Sequence, residues 1–450
     1  MGAVTFSGLA SGLDTTGIVN SLVGVAKIPI TKLQTEQTTI QSQSKQIADI
    51  KTDLTTLEAA ATALSTKDSA LVNKVSSSTE SVLTATAAGG SSSGAFKVDV
   101  TSLAQPERTY SNTFASSSDA GLAGAGQLSI QVGTGDAVNI DIAATDSLAD
   151  IASKINKSGA GVSAGIFSDG SSYRLQVTGT QSGAANQITF GETGVSLGLT
   201  DPANEKQAAT DALLTIDGMQ VHSATNTVTG AVPGVTLNLA SIGSSTIKVD
   251  RDADGLSAKL ATFVKSYNDV MKTLNTEFST TSGLTKASDS LSGDSTMRTL
   301  QSALRSLASK TMANGTSALQ TFGSIGLVSQ RDGSLVLDST KFNKAVASDY
   351  DGVASLLAGR TDGTGLMSSF ASGVDQYTKS AGTLDAKIKN YADRSKDFDT
   401  QIAAMQRRLT SYTDTLNAQY AALETTMSGL KSQGNALSSI LASSSSSSSG

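Results

Sequence analysis

From Leu384 to Leu441, apolar residues mark a coiled-coil seam longer than a compact domain can hold. The positions are Leu384, Ile388, Tyr391, Phe398, Ile402, Met405, Leu409, Tyr412 and Leu416, followed by Tyr420, Leu423, Met427, Leu430, Leu437 and Leu441. With Ser395 and Gly434 counted as polar interruptions, the steps alternate four and three residues, with one extra step of four near Leu416 that shifts the phase. A continuous helix over this span would be about 87 Å long, whereas a compact chain of this length has a radius of gyration of about 22 Å. Such a helix must project from a body or lie along another long helix.

The opposite end of the chain supplies a mate. After Pro29, Leu33, Ile40, Ile47, Leu54 and Ala61 recur every seven residues, and Ile50, Leu57, Leu64 and Leu71 form a second row. Two ends of one chain share one period, and if the helices run antiparallel, everything between them forms a body inserted between two legs. The fold class expected is therefore α+β and multidomain, with coiled-coil legs from both termini and nested β-rich head domains in the middle. The segments expected are a docking or export segment at 1–32, a leg helix at 33–75 and the first part of an inner β-rich domain at 76–107. An outer inserted β-rich domain follows at 108–205, then the return of the inner domain at 206–252. A helical leg domain at 253–383 carries a hairpin near 327–337, and the C-terminal helix at 384–441 ends in a serine tail at 442–450.

Strand signals fill the middle. Apolar alternation marks Ser81–Ala87, Phe96–Leu103, Leu128–Val132, Val138–Ile142, Val235–Leu239 and Thr246–Val249. Asp169-Gly170 and Asp217-Gly218 predict hairpin turns, as does Asp332-Gly333 within Leu327–Leu337. A short helix is expected after Asp146 as N-cap, with Leu148, Ile151 and Ile155 on one face. The helical period returns through Leu256, Leu260, Phe263, Tyr267, Val270, Leu274 and Phe278, and again over Met297–Met312.

Composition removes several function classes. A net charge of −6, with no basic cluster interleaved with aromatics, argues against a nucleic-acid partner. No Cys is present, so disulfides, thiolate nucleophiles and Cys-based zinc sites are excluded. No apolar run reaches the length of a membrane span, so no transmembrane segment is expected. The first Lys is Lys27, so the opening also lacks the basic start of a cleavable secretory signal. His222 is the only histidine and lies near a turn, where a structural or solvated role is favoured. Asp250, Asp252 and Asp254 before Gly255 match the start of an EF-hand loop, but Ala261 stands where a bidentate Glu is required. A helix N-cap is the better reading there. No catalytic residue, cofactor or metal ligand is assigned, and the chain is not expected to be an enzyme.

The opening Phe6-Ser7-Gly8-Leu9-Ala10-Ser11-Gly12-Leu13-Asp14-Thr15, followed by Ile18-Val19, Leu22 and Pro29, resembles the start of the bacterial flagellar filament cap family, flagellar hook-associated protein 2. The resemblance continues through Leu214-Thr215-Ile216-Asp217-Gly218, Gly234-Val235-Thr236-Leu237, Phe263-Val264 with Tyr267-Asn268, Ile325-Gly326-Leu327, and Asp332-Gly333 with Leu335, Leu337 and Asp338. Nothing is matched over roughly 109–205. Where the family often has an acidic residue before Pro29, this chain has Ala26-Lys27-Ile28.

The resemblance implies a homo-oligomeric closed ring at the distal filament tip, extracellular and exported through the flagellar type III channel without a cleaved signal. The implied partners are other copies of the chain, flagellin, the filament end with its hook-associated proteins, the export apparatus and an export chaperone. The motif residues Phe6, Gly8, Leu9, Ala10, Ser11, Gly12, Leu13, Asp14, Ile18 and Leu22 are the expected docking and export segment. Leu33, Ile40, Ile47, Leu54, Leu57 and Leu64 on one leg, with Ile402, Met405, Leu409, Leu416, Leu423, Met427, Leu430, Leu437 and Leu441 on the other, are the expected seam. Polar seam positions Gln37, Ser44, Ser395 and Gly434 would keep docking reversible. The alternatives are another flagellar axial protein (flagellin or a hook–filament junction protein), a surface or filament-tip adhesin with a host ligand and, more weakly, a secreted hydrolase.

Overall fold

The computed structural model describes residues 11–278, 290–360 and 364–446. Phe6, Gly8, Leu9 and Ala10 of the opening motif lie outside the described residues. The fold is α+β and multidomain: helices from both ends of the chain flank a β-rich middle.

Helix α1 runs from Thr15 to Thr62, capped by Asp14, whose Oδ1 accepts the Gly17 N–H at 2.8 Å. It continues through Pro29 instead of starting after it. Proline withholds one N–H and so frees the carbonyl of Val25, but that face of the helix is in water, with Val25 66% exposed. Val19 and Ile30 are buried on the opposite face and hold both halves in line. The helix also ends at Thr62, short of the expected 75. Thr66 caps a new short helix, α2 (Lys67–Ala70), through a capping box with Ser69, and Leu71 is buried beyond it.

The chain then enters the inner β unit through β1 (Asn73–Ser77), β2 (Leu83–Ala87) and β3 (Gly94–Ser102). An outer unit follows, with β4 (Arg108–Tyr110), β5 (Gly124–Val132), β6 (Val138–Ile142), α3 (Leu148–Lys157), β7 (Val162–Ser168), β8 (Tyr173–Gly179), β9 (Ile188–Val195) and β10 (Glu205–Gln207). The chain returns to the inner unit through β11 (Ala212–Ile216), β12 (Met219–Ser223), β13 (Thr227–Val232), β14 (Val235–Leu239) and β15 (Gly243–Arg251). Strand order is β1-β15-β3-β11-β12 and β13-β14-β2 in the inner unit, and β10-β4-β8-β7 and β6-β5-β9 in the outer. Every pairing is antiparallel.

The β11–β12 hairpin turns on Asp217 and Gly218, both at positive φ (50° and 85°), as a two-residue primed turn demands. Ser147, not Asp146, caps α3: its hydroxyl accepts the Asp150 N–H and Asp150 returns the bond. Asp146 instead accepts the Ala143 N–H and pairs with Lys154.

The remaining helices are α4 (Ala253–Phe278), α5 (Ser295–Ala308), α6 (Ser339–Ala358), α7 (Leu366–Thr378) and α8 (Thr383–Ser446), with the hairpin β16 (Leu327–Ser329) and β17 (Leu335–Leu337) between α5 and α6. Helix α5 stops at Ala308, so Met312 lies outside it, its N–H bonded to the Gln320 carbonyl at 2.8 Å. Asp252 caps α4 by accepting the Gly255 N–H at 2.9 Å. Three large hydrophobic cores form, one in the helical body and one in each β unit. The helical core is built around Phe263, Tyr267, Phe322 and Phe370, whose rings meet edge-on or tilted at 5.0–6.4 Å.

Candidate functional site

The helical leg divides into three zones. At its root, Ile47, Ile50, Leu54, Leu57 and Ala61 of α1, with Leu64 just beyond it, are fully buried among α4, α5, α7 and Leu384 of α8. Residues read as seam therefore belong to the body's own core, among them Ile47, Ile50, Leu54, Leu57, Ala61, Leu64 and Leu384. From the root outward α1 and α8 run antiparallel, because Lys51, Gln37 and Ser11 meet Asp385, Asp399 and Glu424 in turn. Val19, Ile30 and Ile40 face Ile402 and Leu416 in a narrow apolar seam, with Leu33, Met405 and Leu409 partly covered.

A polar layer interrupts this stem. The Gln37 amide donates to the Ser395 carbonyl (3.1 Å) and to Asp399 Oδ1 (2.7 Å), and Gln41 donates to Ser395 Oγ (3.0 Å). Polar groups at seam positions fix register at a cost in stability.

The third zone is the far end of α8. Ser11 lies opposite Glu424. Towards that end the seam positions Leu423, Met427, Leu430 (56% exposed), Leu437 (61%) and Leu441 are exposed. Helix α1 adds further exposed apolar residues at Ile18, Leu22, Val25 and Ile28, with Leu13 just before its N-cap. Large exposed apolar residues in a row at helical spacing are a general mark of interaction surfaces.

Elsewhere the chemistry is sparse. His222 is exposed on β12. Among the described residues no group of three or more His, Cys, Asp or Glu side chains could hold a metal ion, and no helix is long and apolar enough to cross a membrane.

Two family models, described as the N-terminus and the C-terminus of flagellar hook-associated protein 2, match residues 11–107 and 209–432. The chain belongs to the flagellar hook-associated protein 2 family. A third model, the flagellin hook IN motif, matches residues 127–181 in the outer β unit, where sequence reading found no resemblance. Flagellar hook-associated protein 2 of Escherichia coli K12 is 28% identical over 467 residues, covering 96% of this chain and 98% of the relative. The B-type flagellar hook-associated protein 2 of Pseudomonas aeruginosa is 28% identical over 440 residues, covering 90% and 91%. The crystal structure of the D1-D2-D3 domains of the E. coli flagellar cap protein FliD is 31% identical and superposes with a TM-score of 0.67, covering 77% of this chain and 99% of that one.

The family relationship is spread over both ends of the chain, including the seam of the stem. Sequence reading missed the division of the legs into root, stem and exposed far end. The signal that could have found it is the second apolar row on α1 between Ile50 and Leu64, which makes that stretch wide-faced and suited to a multi-helix body.

Proposed function

We propose that this chain is a flagellar filament cap. Copies of it form a closed ring at the distal tip, the β units make a plate, and the legs dock in the growing end. Exported flagellin is held beneath the plate, folds there and inserts instead of diffusing away. The observation that carries this reading is the row of exposed apolar seam positions at the far end of α8, together with the exposed apolar residues at the start of α1, on a member of this family. An exposed stripe of Ile, Leu, Met and Val offers a helical partner a seam without demanding a specific polar match. Polar groups at Gln37, Gln41, Ser395 and Asp399 interrupt the stem's apolar seam and lower the stability of helix pairing, which suits docking that is reversed each time a subunit is added. The role is one of assembly and not of catalysis.

The other partners in this reading are the hook-associated proteins at the filament end, the export apparatus and an export chaperone. Export proceeds without a cleaved signal, read in part from the motif Phe6 to Leu22. The test is a strain lacking the gene: exported flagellin should accumulate as monomer in the medium, and normal filaments there would overturn the proposal. Complementation with a chain lacking 1–32 and 401–450 should fail to restore filaments, whereas a head acting only as an adhesin would keep its binding.

A further inference from the structure

The polypeptide passes between the helical body and the inner β unit at two places, through Leu71 and Val72 on the way out and through Asp252 on the way back. These crossings are side by side: Asn73 pairs with Arg251 at the end of the β1–β15 ladder, and the Asp252 N–H donates to the Val72 carbonyl at 2.9 Å. A two-strand crossing of this kind would act as a hinge if nothing braced it.

Helix α6 supplies the brace. It breaks at Asp349, whose backbone is non-helical (φ −156°, ψ 74°) and whose Oδ1 accepts the Gly352 N–H at 2.8 Å, restarting the helix in a new direction. The buried Asn314 amide donates to the Gly352 carbonyl at 2.8 Å, and Ser317 Oγ donates to Asp349 Oδ2 at 2.8 Å, so the break is fixed from both sides. The redirected segment brings Tyr350 to the crossings. Its hydroxyl lies 3.0 Å from the Val72 carbonyl and 3.3 Å from the Asp252 carbonyl, one acceptor on each crossing. Burial pushes that hydroxyl up to about 12, so it remains a donor at any physiological pH.

Arg251 lies 5.7 Å from the Tyr350 ring centre and reaches Asn73 Oδ1 (3.1 Å), the Ser91 carbonyl (3.4 Å) and Asp351 (3.3 Å). Because Asp351 is exposed, that ion pair contributes little; the stacking and the links to Asn73 and Ser91 matter more. Beneath the ring, Ala70, Leu71, Ala354 and Ala358 form a separate small apolar core. On the head side, the Gly90 N–H donates to the Leu71 carbonyl at 3.2 Å, and a Cβ at Gly89 would fall 1.4 Å from the Asp68 carbonyl oxygen of α2.

We infer that Tyr350, seated across both crossings and backed by Arg251 and the Gly89–Gly90 loop, is a strap that fixes the angle between the leg and the inner β unit. The strap stands on these contacts alone. Its use, transmitting movement of the leg to the plate, rests on the capping reading above.

The chain has no cysteine, so spin labels at Thr55→Cys in the leg and Met219→Cys in the inner unit report one distance in the full chain. With the strap intact the distance distribution should be narrow. Tyr350→Ala should at least double its width, and Tyr350→Phe, which loses only the hydroxyl, should fall between. Gly89→Ala forces a methyl into the head side of the joint and should shift or broaden the distribution while leaving Tyr350 in place. It decides the matter if Tyr350→Ala fails to fold. A distribution already broad in the unaltered joint, or one unmoved by Gly89→Ala and by whichever Tyr350 variants fold, overturns the strap. The same variants assayed for flagellin retention separate the two claims. A broadened joint with full retention leaves the strap standing and removes its proposed use, and failure of the unaltered chain to cap at all sinks the capping reading alone.

Discussion

At the residue scale, the outer β unit carries a buried carboxylate whose cost can be measured. Glu107 accepts the Ile188 N–H at 2.7 Å and the Thr109 hydroxyl at 3.2 Å, and burial raises its carboxyl above the usual carboxylate range. The folded form therefore holds its proton more tightly than the unfolded chain does. That contribution is complete below the ordinary glutamate value and is lost as pH rises through the raised one. Glu107→Gln keeps an acceptor for Ile188 and removes the charge, so it should raise the outer unit's melting temperature by a few degrees at pH 7 and give no gain near pH 4. Paired thermal melts at the two pH values check this, and equal shifts at both would refute it. Other single-residue roles differ in how far they were legible. Asp14 and Asp252 could be read as caps because each immediately precedes an apolar period. Asp146 and Ser147 compete for one position, and Ser147 wins because Asp150 stands three residues on to complete the box. Tyr350 could not be read at all, since its acceptor at Val72 is 278 positions away.

At the element scale, the long helices were legible because a heptad is a local pattern, and their ends were not. Pro29 reads as a boundary by local chemistry, yet the buried anchors at Val19 and Ile30 carry the helix through it. Pro29→Ala should restore the missing bond and add about 1–3 kcal/mol to the stem helix. Circular dichroism should register a higher melting point for the helical signal, and an unchanged or lower one would show that the proline is not strained. Strands β9 and β13 escaped sequence reading because Gly191, Gly194 and Gly230 break their alternation; Gly230, at φ 80°, sits where the β13–β14 register slips. The hairpins at Asp217-Gly218 and Asp332-Gly333 were plain because their turn chemistry is confined to two residues.

At the scale of the whole molecule, the shared period of the two ends announced that they would lie together, and Ser11 beside Glu424 is the result. How that pairing is used was not in the period, since the same seven-residue rhythm serves body core, stem and exposed far end in succession. Removing residues 425–450 should change the stem's stability, followed by thermal melts, by no more than about 0.5 kcal/mol, because every α1 contact described above lies before that cut. Filament capping should nevertheless be lost; retained capping would place the docking surface elsewhere on the leg. With its 64 residues, α8 is about 96 Å from end to end. A swing of roughly three degrees at its base would thus carry the far end sideways by about one helical pitch, 5.4 Å. Over such a lever arm, small angular errors become whole-side-chain misalignments at the foot.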